Sequence, residues 1–259
     1  MSALIIVDPQ NDFVLTTGAL SVPNAHDAMP YINALREQAW DVIVVTGDSH
    51  PANHCSFQVN NPGSTLFEEF TRSNGEKQVV WPVHCVASTP GADFVDSLKR
   101  SNSDWHVYKG QDPEKEQYSA FEGVTVLPPE LAKENSDGFN RFNLADLLKN
   151  HGITEVMICG FATDYCVYNT ALDAKKAGFD TSVFLDGCRG VNQLKTMDAI
   201  ADMKAKGIDC GSDKAEDKAE DKAPEAKATY LSYFVRPILV AFVGLAYTWW
   251  FRSGMRTWI

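Results

Sequence analysis

Basic residues are scarce in this chain: 23 Lys and Arg stand against 34 Asp and Glu, a formal net charge of -11. A surface that grips a phosphate backbone needs clustered cations, and no stretch here joins such a cluster to interleaved aromatics. Nucleic acid is disfavoured as a partner. The first residues also lack the basic, apolar and small-residue succession of a secretion signal. Their one apolar run, Ala3–Val7, is too brief and leads straight to Asp8. Cysteine is sparse as well. Cys55, Cys85, Cys159, Cys166, Cys188 and Cys210 are widely spaced in 259 residues, unlike the dense framework of a small secreted domain. Most are expected to be reduced thiols in a cytosolic compartment, with Cys159 and Cys188 packed as small hydrophobes beside apolar strands.

Apolar material is not lacking, since 44% of the residues are hydrophobic. That suits one α/β domain of about 200 residues with an appendage. Short apolar runs predict buried strands at Ala3–Val7, Asp41–Thr46, Trp105–Tyr108, Glu155–Cys159 and Thr181–Leu185. Helical patterns lie between them, near Ala28–Gln38, Asn143–Asn150, Asp164–Ala177 and Gln193–Lys206. Strands apolar on both faces and separated by helices imply a three-layer α/β/α fold with a mostly parallel central sheet. Such sheets carry their sites beyond the carboxyl ends of the strands. Asp8, Asp48, Lys109 and Cys166 each follow a different apolar strand, so four reactive groups are expected at one edge. The stretches Asn53–Ser103 and Gly110–Asn140 are long connections of the kind that carry function or short elements of their own.

The character changes after Ile208. Residues 213–224 read DKAEDKAEDKAP, a repeat whose i,i+4 pairs are like with like and disfavour an isolated helix. The domain plan is therefore a globular unit over 1–208, a charged linker over 209–229, an apolar helix over 230–252 and a short basic end over 253–259. As a helix the apolar segment would be about 33 Å long, against about 30 Å of bilayer hydrocarbon. Arg236 near one end could snorkel, and Tyr247, Trp249, Trp250 and Trp258 suit an aromatic belt. A helix lying flat on a membrane or packed on a partner protein is the alternative. A spanning tail would anchor the chain to an intracellular membrane with its globular part in the cytosol. A homo-oligomer is compatible with the sequence but not read from it.

Cys166 sits in GFATDYCV, where Thr163 or Asp164 can cap a helix and the first turn favours a thiolate. A packing thiol is the plainer alternative. Asp8 in VDPQNDF could exchange a proton with that thiol, or be only a turn residue before Pro9. Lys109 in VYKG could lower the thiol pKa and hold a carboxylate, or be a solvated charge. Asp48 and His50 in GDSHPANHCSF flank one residue on an extended strand end and so face one side. His84 in WPVHCV would complete an open carboxylate/imidazole site for a divalent ion, with His54 a candidate fourth ligand. Cys85 is a weaker candidate for a soft metal.

Taken together, VDPQNDF, GDSHPANHCSF, WPVHCV, VYKG, YSAFEG and GFATDYCV resemble, in family order, the nicotinamidase/pyrazinamidase branch of the isochorismatase-like hydrolases. The likeness covers about Ala3 to Lys206 and stops before the linker and tail. It implies a catalytic set of Asp8, Lys109 and Cys166, with an oxyanion hole from the backbone N–H groups of Ala162 and Cys166. It implies that Asp48, His50 and His84 hold zinc or another divalent ion, and that Phe13, Trp81 and Tyr118 line a pyridine pocket. Each of these aromatics could equally be ordinary packing. The activity implied is hydrolysis of nicotinamide to nicotinate and ammonia through a cysteine thioester, a reaction of NAD salvage. Pyrazinamide or a carbamoylated amine would suit the same fold. Isochorismate would need neither the thiol nor the metal set. A membrane-tethered scaffold that only binds is the reading from another class.

Overall fold

The computed structural model describes residues 1–128, 131 and 143–211. Its framework is a seven-stranded sheet in the order β6-β5-β2-β1-β7-β8-β9. The strands are β1 (Ser2–Val7), β2 (Val42–Asp48), β5 (Trp105–Lys109), β6 (Val124–Val126), β7 (Glu155–Phe161), β8 (Asp180–Arg189) and β9 (Asp209–Cys210). A separate hairpin, β3 (Glu69–Thr71) with β4 (Lys77–Val79), lies in the first long connection. All pairings in the main sheet are parallel except β5 with β6. The helices are α1 (Asn11–Val14), α2 (Ala25–Arg36), α3 (Leu144–Asn150), α4 (Tyr168–Lys176) and α5 (Gln193–Ala205).

The parallel α/β plan inferred from alternating apolar runs is the observed one. β1 is central, and Ala3 through Val7 have no exposed surface. Each fully buried Leu or Ile of that strand stabilises the fold by about 1.5–3 kcal/mol relative to exposure. The strands run further than the apolar runs do. β2 extends to Asp48, β5 to Lys109 and β7 to Phe161, so polar side chains needed at the carboxyl edge are still carried on rigid backbone. β6 is an antiparallel edge strand of three residues, too short for an alternation pattern to stand out.

Two boundaries differ from expectation. The globular unit runs past Ile208, because Asp209 and Cys210 pair with Ser182 and Val183 of β8. The helix expected over Asp164–Ala177 is two pieces, a π-helical turn at Thr163–Val167 followed by α4. Gly160 prepares that turn. Its φ of +123° is open to glycine, and a Cβ there would lie 2.1 Å from the carbonyl oxygen of Val7 on β1. All six cysteines are free and buried, Cys159 and Cys188 among the core side chains as expected. The expected linker beyond residue 211, the apolar helix over 230–252 and the basic end over 253–259 lie outside the described residues. Among the described residues no helix is long and apolar enough to cross a membrane.

Candidate active site

Strand register brings the reactive groups together. Asp48 and Lys109 are direct neighbours across the β2–β5 ladder, and Asp8 directly follows Val7, the last residue of β1. Lys109 is completely buried, as are Asp8 and Asp48 to within a few per cent. Its ammonium lies 2.8 Å from Asp8 Oδ2, donates to Asp48 Oδ1 and reaches Cys166 Sγ at 3.3 Å. Cys166 Sγ and carboxylate oxygens of Asp8 and Asp48 all fall within 4.8 Å of one another. The four residues read from four strand ends therefore do meet.

Each carboxylate is held by its neighbours. Thr46 Oγ1 donates to Asp8 Oδ1 at 2.7 Å and accepts from the Asp8 N–H at 3.2 Å. Asp8 Oδ2 lies against the ammonium but accepts no well-directed hydrogen bond, and a carboxylate oxygen of Asp8 lies within 4.8 Å of the thiol sulfur. Gln10 clamps Asp48 from behind. Its amide accepts the Asp48 N–H and donates to the Asp48 carbonyl, both at 2.8 Å, as a neighbouring strand would. Gln10 stands within VDPQNDF, but nothing in a linear pattern gives that pairing.

Electrostatics divides the two aspartates. Burial pushes Asp8 above the ordinary carboxylate value despite Lys109. Burial would do the same to Asp48, but Lys109 foremost, with the imidazoles of His50 and His84 beside it, holds it well below. Burial alone would lower Lys109, yet Asp48 and Asp8 keep it well above the usual lysine value. For Cys166 the expected thiolate preference is not met. Burial, with Asp8 and Asp48, outweighs Lys109 and raises the thiol well above its ordinary range. The presumed cap is different too. Ala162 occupies the N-cap position in the left-handed region, at φ 57°, with no side-chain cap. The Asp164 carboxylate instead accepts the N–H groups of Val191 and Asn192 at 2.8 and 2.9 Å. The Ala162 carbonyl receives the N–H groups of Tyr165 and Val167 but not that of Cys166.

On the other side of Asp48 lie two imidazoles. His50 Nε2 and His84 Nε2 are 3.5 and 3.8 Å from Asp48 Oδ2. Both rings use Nδ1 on a backbone carbonyl, His50 on Gly110 at 2.9 Å and His84 on Pro82 at 2.8 Å. Carbonyls only accept, so both Nδ1 atoms carry the proton and both Nε2 lone pairs face Asp48. His50 Nε2 is buried without a hydrogen bond. One carboxylate and two imidazole nitrogens within 4.8 Å of one another fit a divalent cation of the zinc type, with positions left open. The loops meet because the backbone of His50 bonds that of Cys85 and Ala87. His54 is not part of that trio. Its Nδ1 pairs with Ser56 and its Nε2 with the Lys115 carbonyl, and it groups with His50 and Glu116 instead. Cys85 joins neither group.

A cleft opens beside Cys166 and is walled by Phe13, Trp81 and Tyr118, the three aromatics expected there, and by Tyr165. Trp81 Nε1 donates to Tyr118 Oη at 3.1 Å. Tyr165 and Glu116 are cleft residues not foreseen. For Tyr165 a signal existed, an aromatic adjacent to the thiol on a helical turn. Glu116 lies in a loop with no pattern to betray it.

The fold and site define a class of α/β protein with a thiol, carboxylates and an ammonium buried at the carboxyl edge of a parallel sheet, next to a trio of side chains that could hold a cation. The chain belongs to the isochorismatase family: the model of the isochorismatase domain matches residues 2–214. It is 38% identical over 207 residues to the nicotinamidase of Acinetobacter baylyi, covering 80% of this chain and 90% of that protein. Among solved structures it resembles the Acinetobacter baumanii nicotinamidase/pyrazinamidase with a TM-score of 0.70 and 35% identity, over 83% of this chain and 97% of the other. It also resembles the pyrazinamidase of Pyrococcus horikoshii in complex with zinc, with a TM-score of 0.64 and 35% identity, over 81% and 97%.

The buried charges yield a stability prediction. Asp48, with its lowered pKa, stabilises above the ordinary carboxylate range and loses that contribution only as pH falls through its folded value. Lys109, with its raised pKa, stabilises below the ordinary lysine range and loses it only as pH rises through its folded value. Both contributions are present at neutral pH. Lys109→Met strands two buried carboxylates and should cost about 3–5 kcal/mol in urea unfolding at pH 7. The deficit should shrink as acid protonates the aspartates; a deficit independent of pH would contradict this charge arrangement.

Proposed function

We propose that this protein hydrolyses nicotinamide to nicotinate and ammonia through a cysteine thioester, a reaction of NAD salvage. The observation that carries the proposal is the buried contact of Lys109 with Asp8, Asp48 and Cys166 Sγ, opening on an aromatic cleft sized by Phe13, Trp81 and Tyr118. Its nicotinamidase relatives support the same substrate.

In this reading Asp8 Oδ2 takes the Cys166 proton as the sulfur attacks the amide carbon. The N–H groups of Ala162 and Cys166 receive the oxyanion. Asp8 returns the proton to the departing nitrogen, and ammonia leaves a thioester. Asp8 then takes a proton from water as the water oxygen attacks the thioester carbon, and hands it to the departing sulfur to restore the thiol; the acid released gives its own proton to solvent and leaves as nicotinate. Lys109 stays cationic throughout and holds the two carboxylates apart in role. Asp48, His50 and His84 would hold a divalent cation, zinc by analogy with the Pyrococcus relative. Bound there, it would supply a template for the pyridine nitrogen, directly or through water.

A carbamoylated amine or pyrazinamide is the alternative substrate, and comparison of ammonia release from each decides between them. The proposal extends to the whole chain: a charged spacer that follows β9 and runs to residue 229, and a tail anchor over 230–252 that fixes the globular unit to the cytosolic side of an intracellular membrane.

Cys166→Ala should lower ammonia release from nicotinamide by at least about 10⁴-fold while the circular dichroism spectrum is retained; appreciable residual turnover would refute covalent catalysis. Asp48→Ala should reduce the metal bound per chain, read by elemental analysis, and raise KM; equal metal content would remove Asp48 from the ligand set. For the tail, the full-length chain should stay with membranes through alkaline carbonate extraction, and release into the supernatant would rule out spanning.

A further inference from the structure

Three of the aromatic rings that wall the cleft, Trp81, Tyr118 and Tyr165, contact one another, and they are not fixed alike. Trp81 and Tyr118 are tied to each other by the indole hydrogen bond. Tyr165 stands edge-on to Trp81, with ring centroids 4.7 Å apart at 84°, and 5.6 Å from Tyr118. These ring contacts do not involve its hydroxyl. The hydroxyl accepts instead from Lys195 Nζ at 2.9 Å. The same nitrogen is 5.5 Å from the ring centroid, so it lies beyond the hydroxyl end and not over the face. The link is a hydrogen bond from an ammonium, and it leaves the faces of the ring free.

Lys195 is itself well placed to hold a position. It lies in the first turn of α5, where its N–H donates to the N-cap side chain of Asn192 at 3.0 Å. The segment just before it is pinned to the thiol-bearing turn by Asp164, through Val191 and Asn192. Val191 also lines the cleft. Two polar links thus cross from the Thr163–Val167 turn to the start of α5: a carboxylate one residue before Tyr165, and an ammonium at its hydroxyl. The first fixes the backbone. The second fixes the ring.

We propose that Lys195 is a positioning residue for substrate recognition: by anchoring the Tyr165 hydroxyl it keeps that ring against Trp81 and sets the width of the slot for a flat heteroaromatic ring. The proposal rests on the reading of this cleft as the nicotinamide site. Lys195 does not line the cleft and is not among the groups that meet Cys166, so its removal should alter binding more than chemistry. A half-exposed tyrosine without its donor regains rotamers, and each binding event must order it again. A partly exposed hydrogen bond of this kind is modest, so the effect expected is a few-fold and not an abolition.

The test uses the full chain and four variants. Lys195→Met keeps the aliphatic stem and removes the donor; Tyr165→Phe keeps the ring and removes the acceptor; the double variant combines them; Lys195→Arg restores a donor. Lys195→Met and Tyr165→Phe should each raise KM for nicotinamide about three- to fivefold with kcat within about twofold. The double variant should be no worse than either single one, because both remove one link. Lys195→Arg should recover most of the loss. A purely structural lysine would shift the melting temperature without this split or the rescue. Calorimetric binding of nicotinate, in the Cys166→Ala background, should weaken by a similar factor with Lys195→Met. Unchanged KM and nicotinate affinity in Lys195→Met, or additive losses in the double variant, would overturn the proposal. An unsubstituted chain that neither turns over nicotinamide nor binds nicotinate would overturn the functional reading and this inference with it. Turnover that is normal and indifferent to Lys195 overturns the inference alone.

Discussion

The site depends on one buried ammonium. Lys109 has no exposed surface, and desolvation of a lone charge there would cost several kcal/mol. It persists because two carboxylates meet it, Asp8 from the end of β1 and Asp48 from the neighbouring strand. Neither carboxylate could stay buried and charged without it. Removing any one of the three leaves the others uncompensated, which ties the site to the stability of the sheet centre. The parallel architecture makes the arrangement attainable, since three adjacent strands end at the same edge and deliver three side chains within bonding distance.

The same lysine divides the labour of the aspartates. Both are buried, yet Asp48 is held far down while Asp8 is pushed up. The difference lies in what else each one meets. Asp48 has two imidazoles beside it and a backbone clamped by Gln10, which makes it a permanent anion suited to a cation. Asp8 has a hydroxyl on one oxygen and an unaligned ammonium on the other, which suits an exchangeable proton. Two like residues, placed about one lysine, acquire different characters, one a fixed anion and the other open to a proton.

Much of this was legible in the residues because strand ends announce themselves. ALIIV followed by Asp8, and VIVVT by Gly47 and Asp48, fix which residues reach the carboxyl edge before any pairing is known. What could not be read was register. That Asp48 faces Lys109 depends on how β2 and β5 slide against each other, and that His84 reaches His50 depends on one loop bridging another. Side-chain partnerships were equally hidden: the Gln10 clamp, the Lys195 anchor and the two bonds that occupy His54 each join residues far apart or in turns without periodicity. The thiol is the instructive miss. The helix start that favours a thiolate is present, as a π-helical turn, but two nearby carboxylates and full burial outweigh it.

A thiol raised well above its ordinary range supplies little free thiolate in water, and the charge count reconciles this with nucleophilic attack. Asp8, Asp48 and Lys109 leave the cluster one negative charge in excess. Loss of the Cys166 proton to bulk water would make that two in a buried site, and burial together with the two carboxylates raises the thiol against that event. Transfer of the same proton to Asp8 is a different event. The thiolate then replaces the Asp8 carboxylate as the second anion, the excess remains at one, and the new charge lies 3.3 Å from the Lys109 nitrogen. The proton moves without any net charge being created in the low-dielectric interior. Its open acceptor, Asp8 Oδ2, is already raised in basicity by burial, which narrows the gap the proton must cross. A high thiol pKa against solvent and ready deprotonation within the cluster are therefore compatible, and the first also protects the sulfur from idle ionisation when the cleft is empty.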